Sequence, residues 1–268
     1  MGSRDSTCWT LLRDAAAGGE ASRAEFAARY AAVVRAYLAA RWRGSKLLRE
    51  LDDTVQDVFI ECLRDGGLLE RAQADRPGGF RAFLYGAVRK VALRAEARWE
   101  RQRTREPGEV VDLERIAGGE EALSQVYDRA WAKAIVREAA ERQAALAAQR
   151  GEAALRRVEL LRLRFHEGMP IREIARRWDA DTAALHHEYA RARHEFRSAL
   201  QEVVAFHHPG SPADVDRECA QLLSLLNDHT DDLATLLPDR SRPSEILAAL
   251  REIVRENGTG CEPGMKAE

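Results

Sequence analysis

Basic and imidazole side chains are concentrated in residues 182–196, where the sequence predicts a helix with one polar face. That face carries His186, His187, Arg191, Arg193 and His194. Guanidinium groups bind phosphates, and neutral imidazoles donate and accept hydrogen bonds, so these residue types suit contact with phosphates and base edges. Thr182 adds a hydroxyl at the start of the helix. This is the chemistry of nucleic-acid binding rather than of catalysis.

A helix-turn-helix pattern would position these side chains. Apolar residues recur at helical spacing in two consecutive segments, Ile171, Ile174, Ala175 and Trp178 in the first and Leu185, Tyr189, Ala192 and Phe196 in the second. Asp179 falls at the predicted reversal, where aspartate tolerates left-handed backbone angles better than most residues, and Asp181 or Thr182 can cap the second helix. Such a second helix is shaped to lie in a DNA major groove. An ordinary helical hairpin would give the same pattern.

A second basic region spans residues 71–105, where ten basic residues accompany three acidic ones, an excess of seven. A local excess of this kind attracts phosphates. A helix predicted over residues 80–103 carries most of these charges, interleaved with Phe80, Phe83, Tyr85 and Trp99. Aromatic rings beside arginines can stack on unpaired bases. The alternative is that the rings belong to the hydrophobic core and the arginines only face solvent.

The chain divides into four predicted segments. Residues 5–105 hold the N-terminal helices. Residues 106–121 are acidic, contain glycine and show little periodicity, which is typical of a linker. Residues 122–205 begin with a long helix and end in the helix-turn-helix pattern. Residues 206–268 form a C-terminal extension that follows the break at HHPGSP and carries apolar residues at helical spacing.

Composition predicts an all-α protein, since alanine, leucine, arginine and glutamate dominate and strand-forming runs are missing. The net charge of −2 gives no overall basic character, so any basic surface must be local. The apolar runs are too short to span a membrane, and the first residues, MGSRDSTCWT, lack the apolar core of a signal peptide. We therefore expect a cytoplasmic protein with no membrane partner.

Catalytic and metal-binding chemistry has little support in the sequence. The four cysteines form no CxxC pair, and the spacing of His207, His208, Cys219 and His229 is too irregular for a zinc site. The sequence contains no phosphate-binding glycine loop and no nucleophile elbow. We expect a protein that is not an enzyme and uses neither a metal ion nor a cofactor.

Three motifs, in this order, resemble the extracytoplasmic-function (ECF) class of bacterial RNA polymerase sigma factors. They are LDDTVQDVFIECL at residues 51–63, FRAFLYGAVRKVAL at residues 80–93 and HEGMPIREIARRWDADTAALHHEYARARHEF at residues 166–196. A weaker match, YDRAWAKAIV at residues 127–136, looks like the opening of the family's second domain. The resemblance covers about residues 5–205. It implies two small helical domains, sigma-2-like and sigma-4-like, joined by a flexible linker and followed here by a helical extension.

The resemblance also assigns site residues. The beta-prime clamp helices of the polymerase would dock on Asp52, Asp53, Gln56, Asp57 and Phe59. The −10 promoter DNA would bind Arg76, Phe83, Tyr85, Arg89, Lys90, Arg94 and Arg98. The −35 element would contact Thr182, His186, His187, Arg191 and Arg193. The polymerase beta flap would be a further partner.

What the resemblance implies is a factor that binds core RNA polymerase and directs promoter recognition and opening. The alternative is a helix-turn-helix regulator, or a sigma-derived adaptor, that does not open promoters. The motif at residues 51–63 and the basic helix favour the first, since a simple repressor needs neither. The apolar faces of the extension either bind a regulator or pack on the sigma-like domains as a stabilising appendage.

Overall fold

The computed structural model describes residues 7–72, 78–103, 120–165 and 167–227. These residues are helical without any strand, as the composition predicts. The helices are α1 Cys8–Ala16, α2 Glu20–Arg41, α3 Leu51–Leu63, α4 Gly79–Arg103, α5 Glu120–Arg150, α6 Glu152–Phe165, α7 Ile171–Arg177, α8 Thr182–His207 and α9 Pro212–Asn227. Short 3₁₀ turns occur at Lys46–Glu50 and Leu69–Arg71.

The chain divides into two compact units. Unit 1 comprises Met1–Ala134 and Ala205–Pro209, and unit 2 comprises Ile135–Val204 and Gly210–Glu268. Unit 1 therefore contains α1 to α4, the first part of α5 and the last residues of α8. Unit 2 contains the rest of α5, all of α6, α7 and α9, and most of α8.

Helix α2 supplies the centre of the unit 1 core. Its fully buried side chains recur at helical spacing and are Phe26, Tyr30, Val33, Val34, Tyr37 and Leu38. The ring of Phe26 meets the ring of Phe59 from α3 edge-on, with centroids 5.6 Å apart. Full burial of one such side chain stabilises a fold by roughly 1.5–3 kcal/mol, so this face contributes strongly to the stability of unit 1.

A buried ion pair joins the end of α2 to α4. Arg41 Nε and Nη2 donate to the two carboxylate oxygens of Glu96 at 2.6 and 3.0 Å. Trp42 Nε1 donates to the same carboxylate at 2.8 Å. The hydrogen bond from Arg41 to Glu96 raises the pKa of the Arg41 guanidinium. This network fixes α4, the helix that carries most of the predicted −10 residues.

Two segments that are distant in sequence complete the unit 1 core. Tyr127 of α5 is buried, and its hydroxyl donates to the carbonyl of Arg81 at 3.1 Å. His207 is also buried, with Nδ1 3.3 Å from the hydroxyl of Tyr30. The ring of Trp131 stacks on the ring of Tyr30 at 5.7 Å. The motif at residues 127–136 therefore contributes its first residues to unit 1, although the resemblance assigns it to the sigma-4-like domain.

The two helices of the predicted helix-turn-helix are α7 and α8 in unit 2. Asp179 adopts φ +47° at the reversal, and the backbone N–H of Ala180 donates to the carbonyl of Ala175 at 2.9 Å. Ala175 is buried, as expected where two helices must approach closely. The N–H of Ala184 donates to the Asp181 carboxylate at 2.8 Å. Of the two candidate caps, Asp181 is therefore the residue that caps α8.

Helix α8 extends well beyond residue 196. Its apolar stripe continues through Ala199, Leu200, Val203 and Val204, all of them buried. The helix ends before the proline and glycine of HHPGSP, as the sequence predicts. Helix α9 contacts the C-terminal part of α8. Gln201 Nε2 of α8 donates to Asp216 of α9 at 2.7 Å. The first helix of the predicted extension is thus part of unit 2.

Several predicted features lie outside the described residues. They are Arg76, most of the acidic linker and residues 228–268 of the extension. No helix in the part of the chain that the structure describes is long and apolar enough to cross a lipid bilayer.

Candidate functional site

The first candidate surface lies on α3 and comprises Asp52, Asp53, Gln56 and Asp57; we call it the α3 surface. Asp53 and Gln56 are exposed, whereas Asp57 is half-buried. Asp52 forms an ion pair with Arg35 of α2. Asp53 is therefore the acidic residue of the α3 surface that best suits a protein partner, and Gln56 lies one turn further along the same face.

Phe59 is a core residue and does not lie on the α3 surface, where the resemblance places it. Its side chain is only 9 % exposed and packs on Phe26 in the unit 1 core. The reason is helical register, since Phe59 continues the buried stripe of Val55, Val58 and Cys62. Ile60 is instead 59 % exposed, although it was not among the residues predicted from sequence to contact the polymerase. Its position four residues after Gln56 is the signal that could have placed it on the α3 surface.

The second candidate surface is the row of cations on α4 formed by Arg89, Lys90, Arg94 and Arg98; we call it the α4 cation row. All four side chains are exposed. Arg94 donates to Glu61 of α3 at 2.8 Å, and Arg98 donates to Asp57 at 2.9 Å. The hydrogen bond from Arg94 lowers the pKa of Glu61. Arg94 and Arg98 thus pair with acids of α3.

The aromatic residues predicted to meet −10 DNA are partly enclosed. Tyr85 is half-buried, and its ring lies 5.6 Å from Tyr37 and 5.1 Å from Tyr127. Phe83 is half-buried, with its ring 5.9 Å from the buried ring of Phe80. Each ring therefore presents part of its surface to solvent while the rest packs within unit 1.

The third candidate surface is the polar strip of α8 that contains Thr182, His186, His187, Arg191 and His194; we call it the α8 polar strip. All five side chains are exposed. Leu185, Tyr189, Ala192 and Phe196 are buried on the opposite side, as predicted. The helix therefore presents hydrogen-bonding groups to solvent along more than three turns, the arrangement that a major-groove helix requires.

Arg193 does not belong to the α8 polar strip. Its side chain is 7 % exposed, and its guanidinium lies over the ring of Tyr189 at 5.0 Å. It sits four residues after Tyr189 and next to Ala192, so helical geometry places it at the edge of the buried stripe. The prediction that Arg193 is exposed is therefore wrong. Arg191 is the exposed arginine of residues 182–196.

Glu188 is neutralised by two arginines. Arg157 of α6 donates to Glu188 at 3.2 Å, and Arg191 donates to it at 3.0 Å. Arg157 also binds Glu195 through three hydrogen bonds of 2.7 to 3.1 Å. Hydrogen bonding to Glu195 raises the pKa of Arg157. The carboxylate that would repel DNA phosphates is therefore compensated, and Arg157 clamps α8 to α6.

Two arginines of α7 add to the cations near the α8 polar strip. Arg172 and Arg176 are exposed and one helical turn apart, on the side of α7 away from buried Ile171 and Ile174. The first helix of a helix-turn-helix crosses the DNA backbone, so cations here suit phosphates. Neither arginine was among the residues predicted from sequence to contact DNA, although their spacing relative to the apolar stripe indicates their exposure.

The described cysteines are not suited to nucleophilic chemistry. Burial raises the pKa of Cys8, Cys62 and Cys219 to about 12, so their thiols stay protonated at neutral pH. Within the described residues, no group of three or more His, Cys, Asp or Glu side chains is placed to hold a metal ion. The chemistry that these surfaces offer is binding through charge, hydrogen bonds and partly exposed rings.

Comparison of the sequence with protein-family models gives no match, and comparisons with curated proteins and with solved structures give none either.

Proposed function

We propose that this chain is an ECF-type sigma factor that binds core RNA polymerase and directs promoter recognition and opening. The observation that carries the proposal is the adjacency of the α3 surface and the α4 cation row in unit 1, joined by the pairs Asp57–Arg98 and Glu61–Arg94. An acidic protein-docking surface beside a cationic, aromatic-bearing helix fits a protein that holds a DNA strand while bound to polymerase. A simple repressor needs neither feature.

Polymerase docking is proposed for the exposed part of the α3 surface. Asp53 and Gln56 offer a carboxylate and an amide, and exposed Ile60 offers an apolar contact beside them. Charged and polar groups around an apolar contact are typical of protein interfaces, where the polar groups set orientation and association rate. The partner would be a cationic, partly apolar surface such as the beta-prime clamp helices.

Single-stranded −10 DNA is proposed to bind along the α4 cation row. Its cations would hold phosphates, and the exposed parts of Phe83 and Tyr85 would stack on unpaired bases. Because Arg94 and Arg98 already pair with acids, DNA binding there would exchange one set of ion pairs for another. Lys90 is also exposed; it interacts electrostatically with Glu61 but forms none of these ion pairs, so DNA binding there would break none of them.

Duplex −35 DNA is proposed to meet the α8 polar strip. His186 and His187 would hydrogen-bond base edges, while Arg191 and the two exposed arginines of α7 would bind phosphates. Compensation of Glu188 by Arg157 removes the main local repulsion. Major-groove contact through this helix is shared with ordinary helix-turn-helix regulators.

A helix-turn-helix regulator that does not open promoters is the second candidate. The observation that favours it is that the exposed α8 polar strip and the exposed arginines of α7 offer duplex-binding groups without any contribution from unit 1. Both candidates predict duplex binding by unit 2. Only the sigma factor needs a surface for core polymerase.

Core-polymerase binding by charge-reversed variants separates the two candidates. Asp53→Arg should abolish co-purification with core enzyme, because like charges across a contact cost on the order of several kcal/mol. Glu121→Arg is the matched control, since Glu121 is an exposed acid that belongs to α5 and not to α3. Equal polymerase binding by Asp53→Arg and the control would remove the docking assignment. No polymerase binding by the unmodified chain would favour the regulator.

A further inference from the structure

A groove of about 360 Å³ runs beside the N-terminal half of α8 in unit 2. Helix α6 forms one wall and α8 the other, and Leu160 and Leu185 contribute apolar surface to it. Trp178, at the end of α7, closes one side. The groove therefore lies along the same helix that carries the α8 polar strip, on the flank that faces α6.

Arg156 is the distinctive residue of this groove. It is exposed, and its guanidinium lies over the ring of Trp178 with 4.7 Å between Cζ and the ring centroid. A cation stacked on an indole ring is held in position while its N–H donors remain directed outward. Among the described residues no carboxylate forms an ion pair with Arg156, in contrast to Arg157, Arg162 and Arg191.

The other arginines of the groove are paired with carboxylates. Glu188 pairs with Arg157 and Arg191, and Glu195 gives Arg157 a second carboxylate. Asp181 accepts the hydrogen bond that caps α8. Arg156 is consequently the arginine of the groove wall that has no carboxylate partner among the described residues, so its N–H donors remain for an anion from outside.

We propose that Arg156, whose guanidinium stacks on Trp178, binds a backbone phosphate of duplex DNA while the α8 polar strip lies in the major groove. This inference rests on the proposed function, because it requires α8 to bind duplex DNA. When a helix inserts into the major groove, sugar-phosphate backbones pass along its flanks. Arg156 and Arg191 line one groove on such a flank, so a phosphate there meets two guanidinium groups from different helices. Trp178 is a positioning residue that acts through Arg156.

The salt dependence of DNA binding tests the inference. The probes are a duplex enriched from random DNA by the full-length chain and an unrelated duplex of the same length. The variants are Arg156→Ala, Arg156→Lys and the control Arg142→Ala. Arg142 is an equally exposed arginine of unit 2, paired with Glu202 and outside the groove. Affinity is measured by fluorescence anisotropy at several salt concentrations.

Loss of one phosphate contact lowers the slope of log affinity against log salt by about one. The ratio of the DNA affinity of the unmodified chain to that of Arg156→Ala should therefore fall by about 3.5-fold between 50 and 200 mM salt. The reduction should be the same on both duplexes, because phosphates carry no sequence information. Arg156→Lys, which keeps the charge, should retain the slope, and Arg142→Ala should match the unmodified chain.

An unchanged slope for Arg156→Ala, with normal binding by the unmodified chain, would overturn the inference and leave the proposed function standing. A slope that falls equally in Arg156→Ala and Arg142→Ala would also overturn it, because that result reports net charge and not a contact. Absence of any salt-dependent duplex binding by the unmodified chain would overturn the inference together with the proposed −35 contact.

Discussion

Arg98 of α4 and Asp57 of α3 form an ion pair, with Nη2 2.9 Å from Oδ2. The resemblance to ECF sigma factors implies different partners for these two residues, promoter DNA for Arg98 and polymerase for Asp57. Their pairing means that neither can change its contacts without affecting the other. The proposed polymerase and −10 surfaces of unit 1 are therefore coupled through a specific pair of side chains.

Removal of the Asp57 charge should strengthen single-stranded DNA binding. The Arg98 side chain is 56 % exposed and the Asp57 side chain 38 %, so solvent screens the pair and it contributes only about 0.5–1 kcal/mol. Asp57→Asn should release Arg98 and raise affinity for single-stranded DNA about two- to fivefold. Arg98→Ala should lower it. Affinity is measured with a fluorescent oligonucleotide, and Glu25→Gln, which breaks the Glu25–Arg29 pair on α2, is the control. Equal effects of Asp57→Asn and the control would contradict competition at Arg98.

Two neighbouring arginines of α8 should behave in opposite ways. Arg191 is 71 % exposed, so Arg191→Ala should lower the salt slope of duplex binding by about one while the free energy of unfolding changes by less than about 1 kcal/mol. Arg193 is buried against Tyr189, so Arg193→Ala should reduce the free energy of unfolding by about 1–3 kcal/mol. Urea unfolding and anisotropy distinguish the two. A salt-slope change for Arg193→Ala at unchanged stability would restore the expectation drawn from sequence.

Arg157 should be important for the stability of unit 2. Its side chain is 15 % exposed and bridges Glu188 and Glu195. Arg157→Ala should cost about 2–3 kcal/mol of unfolding free energy, because the enclosed carboxylates lose their main partner. Arg142→Ala, which breaks one exposed pair with Glu202, should cost less than about 1 kcal/mol. If urea unfolding gives the same small loss for both, Arg157 does not clamp α8 to α6.

Asp128 should make stability depend on pH in the acid range. Burial raises the pKa of its carboxyl, although Arg81, 3.6 Å away, acts in the opposite direction. A raised pKa in the fold means that the contribution of this group is favourable at low pH and is lost as pH rises through the folded-state value. Asp128→Asn should therefore be more stable than the unmodified chain at pH 7, and the difference should vanish as pH falls. A variant that is less stable at pH 7 would show that the Arg81 pair outweighs burial.

The sequence predicts those features of the fold that follow from local periodicity. The apolar stripes of α3, α7 and α8 give both the helices and their buried faces, and Leu185, Tyr189 and Phe196 are all buried as expected. Asp179 marks the reversal, because few other residues tolerate its positive φ. The wrong predictions of exposure concern residues at the edges of these apolar stripes. Phe59 and Arg193 lie about where a helical face turns from buried to exposed, so spacing alone assigns them ambiguously.

Contacts between distant segments are not predictable from spacing. The sequence gives no sign that Arg157 bridges Glu188 and Glu195, because this depends on how α6 packs on α8. His207 reaches the hydroxyl of Tyr30 only through the fold of unit 1. The position of Arg156 over Trp178 likewise requires the packing of α6 against the turn after α7. Charge composition shows that such groups exist, whereas tertiary structure decides which of them are compensated.

Run-off transcription with purified core RNA polymerase, on promoters enriched from random DNA, tests the central claim most directly. A sigma factor should yield transcripts with defined starts that depend on the chain, are lost with Asp53→Arg and are retained with Glu121→Arg. Transcripts should also fall with Lys90→Ala, since Lys90 lies in the α4 cation row. The contrary result is a chain that binds the enriched duplexes but yields no transcript, with core enzyme that is active with another initiation factor. That result would leave a DNA-binding regulator and rule out a sigma factor for this polymerase.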